Sequence, residues 1–271
     1  MSTSKYTVIT GASAGIGYEA AKAFAGRGKN LILVARRQAP LATLKQEILA
    51  EHPSLDIVIK ATDLSVSANV HRLYAELAYY PLETWVNNAG FGNYAPVGEQ
   101  DLQKIETMLD VNITTLTLLS SLFTRDYQHV DNAQLINVSS RGGYTIVPTA
   151  VTFCAAKFHV SAFTEGLAWE LQAAGAKMQA KVLAKVLAPA ATQTKFGKTA
   201  NDVDVYDYEQ AFGRYHSARE MAGFLLQLYD SRHVVGIVDA ATFAFDLKAP
   251  LFAYSGNAAN NQKINHTNSI K

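Results

Sequence analysis

The stretch PTAVTFCAAKFHVSAF, Pro148 to Phe163, sets Lys157 four residues after Phe153, so the ammonium and the ring share one helical face. A hydroxylated ring there could serve as an acid beside the lysine. Phe153 has no hydroxyl, which leaves two readings open: a catalytic helix without its acid, or an apolar helix that never had one.

A second cluster, TVITGASAGIG at 7–17, brings Gly11, Gly15 and Gly17 to a point where a strand turns into a helix, with Ser13 and Ile16 in the same loop. Glycine permits the tight turn and the close approach of backbone to a pyrophosphate, whose charge the amides at the helix N-terminus then meet. The strand that follows ends LILVARRQ, so Arg36 and Arg37 stand where dinucleotide folds often hold an acid against the ribose 2'-hydroxyl. A carboxylate would repel a 2'-phosphate, whereas guanidinium groups bind one with paired hydrogen bonds, and this favours NADP(H) over NAD.

Other reactive side chains carry less. Cys154 is the only cysteine and has no base placed beside it, so it reads as a buried structural thiol and excludes a disulfide framework. His159 follows Lys157 by two residues and points to another side of the helix. The seven histidines show no His-x-x-x-His or Cys-His spacing, and no metal is expected.

These residues need a scaffold, and short apolar runs alternating with helical periods supply one. Strands are expected near Tyr6 to Thr10, Asn30 to Ala35, Asp56 to Ala61, Thr84 to Asn87, Gln134 to Val138, a region ending at Ala188, and Val234 to Val238. Helices are expected near Gly15 to Arg27, Pro40 to Glu51, Ala68 to Ala78, Leu102 to Phe123, Thr152 to Gln172 and Ser217 to Asp230. The pattern predicts an α/β fold: a single-domain, Rossmann-like, doubly wound parallel sheet flanked by helices over residues 1–256, with a polar tail at 257–271. An identical tandem, AKVL at Ala180 to Leu183 and at Ala184 to Leu187, is an even step for a strand and about one turn of a helix. It reads as a local duplication, or else as a displaced loop beside the ligand.

Lys plus Arg number 24 against 23 Asp plus Glu, so no overall field would attract nucleic acid or an anionic membrane surface. No run of 18 apolar residues could span a bilayer, and the N-terminus lacks the pattern of a secretory signal. A soluble cytoplasmic protein with a small-molecule partner is expected.

Taken in order, TGASAGIG at Thr10 to Gly17, NNAG at Asn87 to Gly90, the DVN step ending at Asn112, the NVSS step ending at Ser140, and Lys157 resemble the short-chain dehydrogenase/reductase family. The resemblance runs from about Tyr6 to Thr194, roughly two thirds of the chain, and is looser beyond. It implies a nicotinamide cofactor and hydride transfer between a carbonyl and an alcohol carbon. The family's Asn-Ser-Tyr-Lys tetrad falls on Asn112, Ser140, Phe153 and Lys157, and Phe153 also keeps the family's spacing of 13 residues after Ser140.

In the family the tyrosine exchanges a proton with the substrate oxygen and the serine steadies that oxygen. The lysine binds the nicotinamide ribose and acidifies the tyrosine, while the asparagine holds a relay water. By the same resemblance Asp63 would contact adenine, Asn87, Asn88, Ala89 and Gly90 would line the cofactor cleft, and Pro189 and Thr192 would lie at the carboxamide, with Ala190 replacing the family's usual glycine. Independently of the resemblance, Phe196, Tyr206, Tyr208 and Phe212 in the segment from about Ala190 to Tyr215 suggest either an apolar substrate lid or ordinary loop packing. The helix from Leu102 to Phe123 would contribute to a homodimer or homotetramer.

Neither other tyrosine weighed as a replacement, Tyr18 or Tyr144, is placed by its sequence to stand in for position 153. The implied function is an NADP-dependent carbonyl reductase or alcohol dehydrogenase crippled at Phe153, whether by deliberate Tyr-to-Phe exchange in an active parent or by natural loss. The alternative is a naturally inactive NADP-binding protein acting as a sensor or partner subunit.

Overall fold

The computed structural model describes residues 5–174 and 183–255. Its main sheet contains β1 (Tyr6–Thr10), β2 (Asn30–Ala35), β3 (Ile57–Ala61), β4 (Leu82–Asn87), β5 (Gln134–Val138) and β6 (Leu183–Ala188). A two-residue ladder follows, β7 (Thr192–Gln193) with β8 (His216–Ser217), and β9 (Val235–Val238) and β10 (Phe245–Lys248) complete the main sheet. Strand order is β10-β9-β6-β5-β4-β1-β2-β3, parallel throughout except where β10 turns back antiparallel on β9.

The helices are α1 (Gly15–Ala25), α2 (Gln38–Glu51), α3 (Ser67–Leu77), α4 (Leu102–Leu109), α5 (Leu116–Tyr127), α6 (Val151–Ala174), α7 (Phe196–Asn201), α8 (Tyr208–Phe212) and α9 (Ala218–Asp230). They cover both faces of the sheet, which is why every residue of β2 and β4 is buried. On one face Phe24, Leu41, Leu44 and Leu225 pack over Ile9, Leu31 and Leu33; on the other Leu73, Leu119 and Phe123 pack over Val8, Ile32 and Trp85. Among the described residues no helix is long and apolar enough to cross a membrane.

The expected elements are present, with three differences. The helix expected from Leu102 to Phe123 runs on to Tyr127 and is interrupted over Asp110–Thr115 by a wider π turn, an irregularity often found at functional sites. Ser217, expected to begin the last helix, is its N-cap: Ser217 accepts from the Glu220 amide at 3.1 Å while Glu220 accepts from the Ser217 amide at 2.7 Å. Strands β7, β8 and β10 and the short helices α7 and α8 lie outside the expected elements.

The second AKVL copy, Ala184 to Leu187, lies in β6, whereas Ala180 to Val182 of the first copy and the tail at 257–271 lie outside the described residues. Within β6, Lys185 is fully buried, and its Nζ donates to the carbonyls of Leu228, Tyr229 and Ser231 at 2.7, 2.8 and 2.6 Å. The ammonium thus caps the C-terminal end of α9, where carbonyls lack helical partners and the helix dipole favours a cation. Burial nevertheless draws its pKa down to about 8.

Candidate active site

A cleft of about 800 Å³ opens at the C-terminal ends of β1, β4, β5 and β6, the crevice where open α/β sheets place their ligands. Gly11, Ser13, Gly15 and Ile16 line one end of it. Gly11 and Gly15 have φ of +69° and +60°, a region costly to residues with a Cβ. A Cβ on Gly11 would also lie 2.8 Å from Asn88 Nδ2 and 2.9 Å from Ala89 Cα. At the start of α1 the N-cap is Ala14, no side chain caps the first turn and no acid occupies it, so its amides are left to an anion.

Arg36 and Arg37 are exposed at the end of β2 and line the same cleft, and Arg37 Nη2 donates weakly to Ser13 Oγ at 3.4 Å. A cradle of bare backbone beside two guanidinium groups fits a phosphorylated dinucleotide. Asp63 also lines the cleft, but its Oδ1 accepts from the Ser65 amide at 3.0 Å and the Ser65 hydroxyl at 2.8 Å. These bonds hold its carboxyl below the usual range, so Asp63 is a turn cap as well as a wall residue.

At the other end Ser140, Phe153 and Lys157 line the same cleft. The loop after β5 and helix α6 are locked together: Ser139 Oγ donates to Lys157 O at 3.0 Å and pairs with Ser161 Oγ at 2.7 Å. A Cβ on Gly143 would fall 2.4 Å from Ser139 Oγ, so that junction needs glycine. Ser140 Oγ accepts from the Gly142 amide at 3.0 Å. Lys157 is 5% exposed, its Nζ donates to Val138 O at 2.9 Å and lies 5.9 Å from the centre of the Phe153 ring, and burial lowers its pKa to about 8.

Of the other expected positions, some line the cleft and some lie behind its wall. Asn112, in the π turn, is fully buried and does not line the cleft; its amide exchanges two hydrogen bonds with the Phe91 backbone, at 3.2 and 2.8 Å. Gly90 fits between it and the lysine, since a Cβ there would be 2.8 Å from Asn112 Oδ1 and 3.4 Å from Lys157 Nζ. Gly17 lies behind the loop rather than on the cleft, because its missing Cβ would fall 2.4 Å from Asn88 Nδ2 and 2.6 Å from Gly11 O.

Asn88 and Ala89 do line the cleft, but Asn87 does not. Its amide donates to Ser120 and Asn137 at 3.1 and 2.9 Å in a buried network. Pro189 and Thr192 line the cleft, and the Thr192 hydroxyl donates back to Ala190 O at 2.9 Å.

Neither alternative tyrosine reaches the cleft. Tyr18 donates to Glu47 at 2.6 Å and Tyr144 to Glu165 at 2.5 Å. The sequence did not point to Tyr94 or Thr194 on this wall, whereas Phe196, Tyr206, Tyr208 and Phe212 of the expected apolar segment do line it. Thr194 could have been found as the next hydroxyl after Thr192; its Cγ2 would lie 3.0 Å from a Cβ on Gly15. Among the described residues no cluster of potential ligands could hold a metal ion.

The sequence profile described as "short chain dehydrogenase" matches residues 5–204. Among curated proteins, Dehydrogenase/reductase SDR family member 11 of Gallus gallus is 29% identical over 228 residues, 80% of this chain and 85% of that protein. A very-long-chain 3-oxoacyl-CoA reductase of Scheffersomyces stipitis is 31% identical over 186 residues, 65% of this chain and 54% of that one. Among solved structures, a short-chain dehydrogenase from Sphingobium yanoikuyae in complex with NADPH superposes with a TM-score of 0.78 at 26% identity, covering 88% of this chain and 89% of that chain.

Proposed function

This chain belongs to the short-chain dehydrogenase family, and on that premise we propose that it is an NADP-linked oxidoreductase for a carbonyl and its alcohol, disabled at its proton-transfer step by Phe153. The observation that carries the reading is the meeting of Gly11, Gly15, Arg36, Ser140, Phe153 and Lys157 around one cleft.

Bound in that cleft, the nicotinamide supplies or accepts hydride. The chain's own residues do the rest. The glycine loop and the free amides of α1 hold the pyrophosphate, with Ala89, Gly90 and Pro189 forming the adjoining wall. Arg36 and Arg37 bind the 2'-phosphate. Lys157, buried and tied to Val138 O, would hold the nicotinamide ribose with its remaining protons. Ser140 would steady the carbonyl oxygen, and Thr192 would be the residue for the carboxamide.

Reduction leaves that oxygen needing a proton. Phe153 has none to give, and a positioned acid typically contributes roughly 10²- to 10⁴-fold in rate. Phenylalanine and tyrosine differ by one oxygen, so cofactor binding survives while turnover collapses.

A second reading, an NADP-binding protein without catalytic duty, draws support from the packing of Phe153. Its ring is 5% exposed and sits against Tyr94 and Phe196, a settled apolar environment for a phenylalanine.

Titrating the chain with NADPH and NADH, followed by cofactor fluorescence, tests the shared part: NADPH should bind more tightly. Equal affinity would remove the role of the arginines, and binding of neither would overturn both readings. A panel of aldehydes and ketones offered to Phe153→Tyr then separates them, because an NADPH-binding tyrosine form that reduces nothing favours the binding role.

A further inference from the structure

Position 153 is one ring of three. Centroids of Tyr94 and Phe153 are 5.7 Å apart, Phe153 and Phe196 5.3 Å, and Tyr94 and Phe196 6.0 Å, with each pair tilted by about 60° or more (66°, 59° and 67°). Two glycine or backbone accommodations make this corner possible. A Cβ on Gly92 would lie 2.8 Å from Phe196 Cζ, and the Tyr94 amide donates to Ala200 O at 2.8 Å, which ties its loop to α7.

All three rings line the cleft that holds Ser140, and so do Tyr206, Tyr208 and Phe212 of the following segment. Tyr206 and Tyr208 meet edge to face at 4.9 Å. The Tyr208 hydroxyl is used inside the loop, accepting from the Gly197 amide at 2.9 Å, so what remains for a ligand is its ring. Val147 and Phe212, 44% and 49% exposed, extend the apolar surface to the mouth.

Most cations of the cleft are held away from the rings. Lys157 is directed to Val138 O and Arg141 to Val238 O, and Arg36 and Arg37 stand at the end of β2, while Lys195, the residue before Phe196, is exposed on the cleft wall. The ring faces themselves offer a carboxylate no charge partner, and burial against them would cost it its hydration.

From this corner of tilted rings we propose that the substrate is an uncharged aryl ketone or aldehyde, its ring system seated against Tyr94, Phe153 and Phe196 and its carbonyl oxygen at Ser140. Tyr94 and Phe196 are half-buried and Phe153 is nearly covered, so the first two offer most of the contact, and their mutual tilt suits the edge-to-face contacts that aromatic groups prefer over a flat sandwich. The proposal rests on the carbonyl-reductase reading above and adds the substrate class.

The test uses the full chain and Phe153→Tyr, with 2-acetylnaphthalene, the linear 2-dodecanone and pyruvate as probes. In the tyrosine form with NADPH, kcat/KM for 2-acetylnaphthalene should exceed that for pyruvate at least about 10²-fold, consistent with burying an aryl group against apolar surface. It should also exceed that for 2-dodecanone about tenfold. Phe196→Leu in that background should erase most of the aryl-over-linear preference, through KM, while NADPH affinity stays within about twofold. Calorimetry of 2-acetylnaphthalene with the chain as it stands and NADPH gives a readout independent of turnover, and binding tighter than that of 2-dodecanone is expected.

Preference for pyruvate or 2-dodecanone in either assay would overturn the proposal. So would an aryl preference unchanged by Phe196→Leu. Failure of NADPH to bind would instead strike the underlying reading, and the calorimetric ranking without cofactor would still decide whether the ring corner selects aryl ketones.

Discussion

The two ends of the cleft are built to different degrees of completion. At the β1–β2 end, two glycines with positive φ, an uncapped helix start and a pair of arginines are the groups that the proposed NADP(H) site draws on. At the α6 end, Ser140 and Lys157 are in place, but the ring between them in chain order has no oxygen. Binding draws on many distributed backbone contacts, whereas proton transfer depends on one atom, so one substitution separates the two.

The sharpest way to break this contrast is Phe153→Tyr. It should raise carbonyl reduction by roughly 10²- to 10⁴-fold with NADPH affinity changed less than about threefold, as read from steady-state kinetics and fluorescence titration. The opposite end is probed by replacing Arg36 and Arg37 together with Ala. Losing charge-assisted bonds worth about 1.5–3 kcal/mol should weaken NADPH roughly 10- to 100-fold while NADH changes little. A similar loss for both cofactors would remove the arginines from 2'-phosphate recognition.

Gly17→Ala should act on the fold beneath the binding end. Its Cβ would press on Gly11 O and Asn88 Nδ2, the latter already donating to Thr10 O at 2.9 Å. A loss of about 1–3 kcal/mol is expected in denaturant melts, and an unchanged midpoint would mean the loop yields freely.

The smallest effect concerns pH. Lys157 and Lys185 both titrate near 8 in the folded chain, below the ordinary lysine value of 10.5. Between pH 8 and about 10 the unfolded chain therefore holds more protons, and stability rises with pH, by about 1 kcal/mol per lysine at pH 9. Lys157→Met should remove part of that rise, and a flat or falling profile over pH 7.5–9.5 in the parent would contradict it.

The strands and their order-determining alternation with helices were legible because parallel strands buried on both faces read as short apolar runs. The site was legible where chemistry depends on residue type at fixed spacing: the glycines, the arginines, and Lys157 with position 153. It was less legible where the decisive fact is direction. Asn87 ends β4 and Asn88 follows it, yet Asn87 joins the buried network with Asn137 while Asn88 borders the cleft and turns its amide to Thr10 O.

Gly17 reads like its two companions but meets Asn88 from behind. Tyr94 and Phe196 are brought to Phe153 by loops whose paths no local pattern reveals. Strand β10 escaped notice because its FDLK segment is short and half-buried, without the apolar run of its parallel neighbours.

The most direct measurement is a single-turnover comparison. The chain as it stands and Phe153→Tyr, each saturated with NADPH, are mixed with one carbonyl that the tyrosine form reduces, and loss of nicotinamide absorbance is followed. Equal cofactor saturation with a rate at least about 10²-fold lower for the phenylalanine form is expected from the loss of one general acid. Equal rates in the two forms would contradict the assignment of position 153 as the missing proton donor.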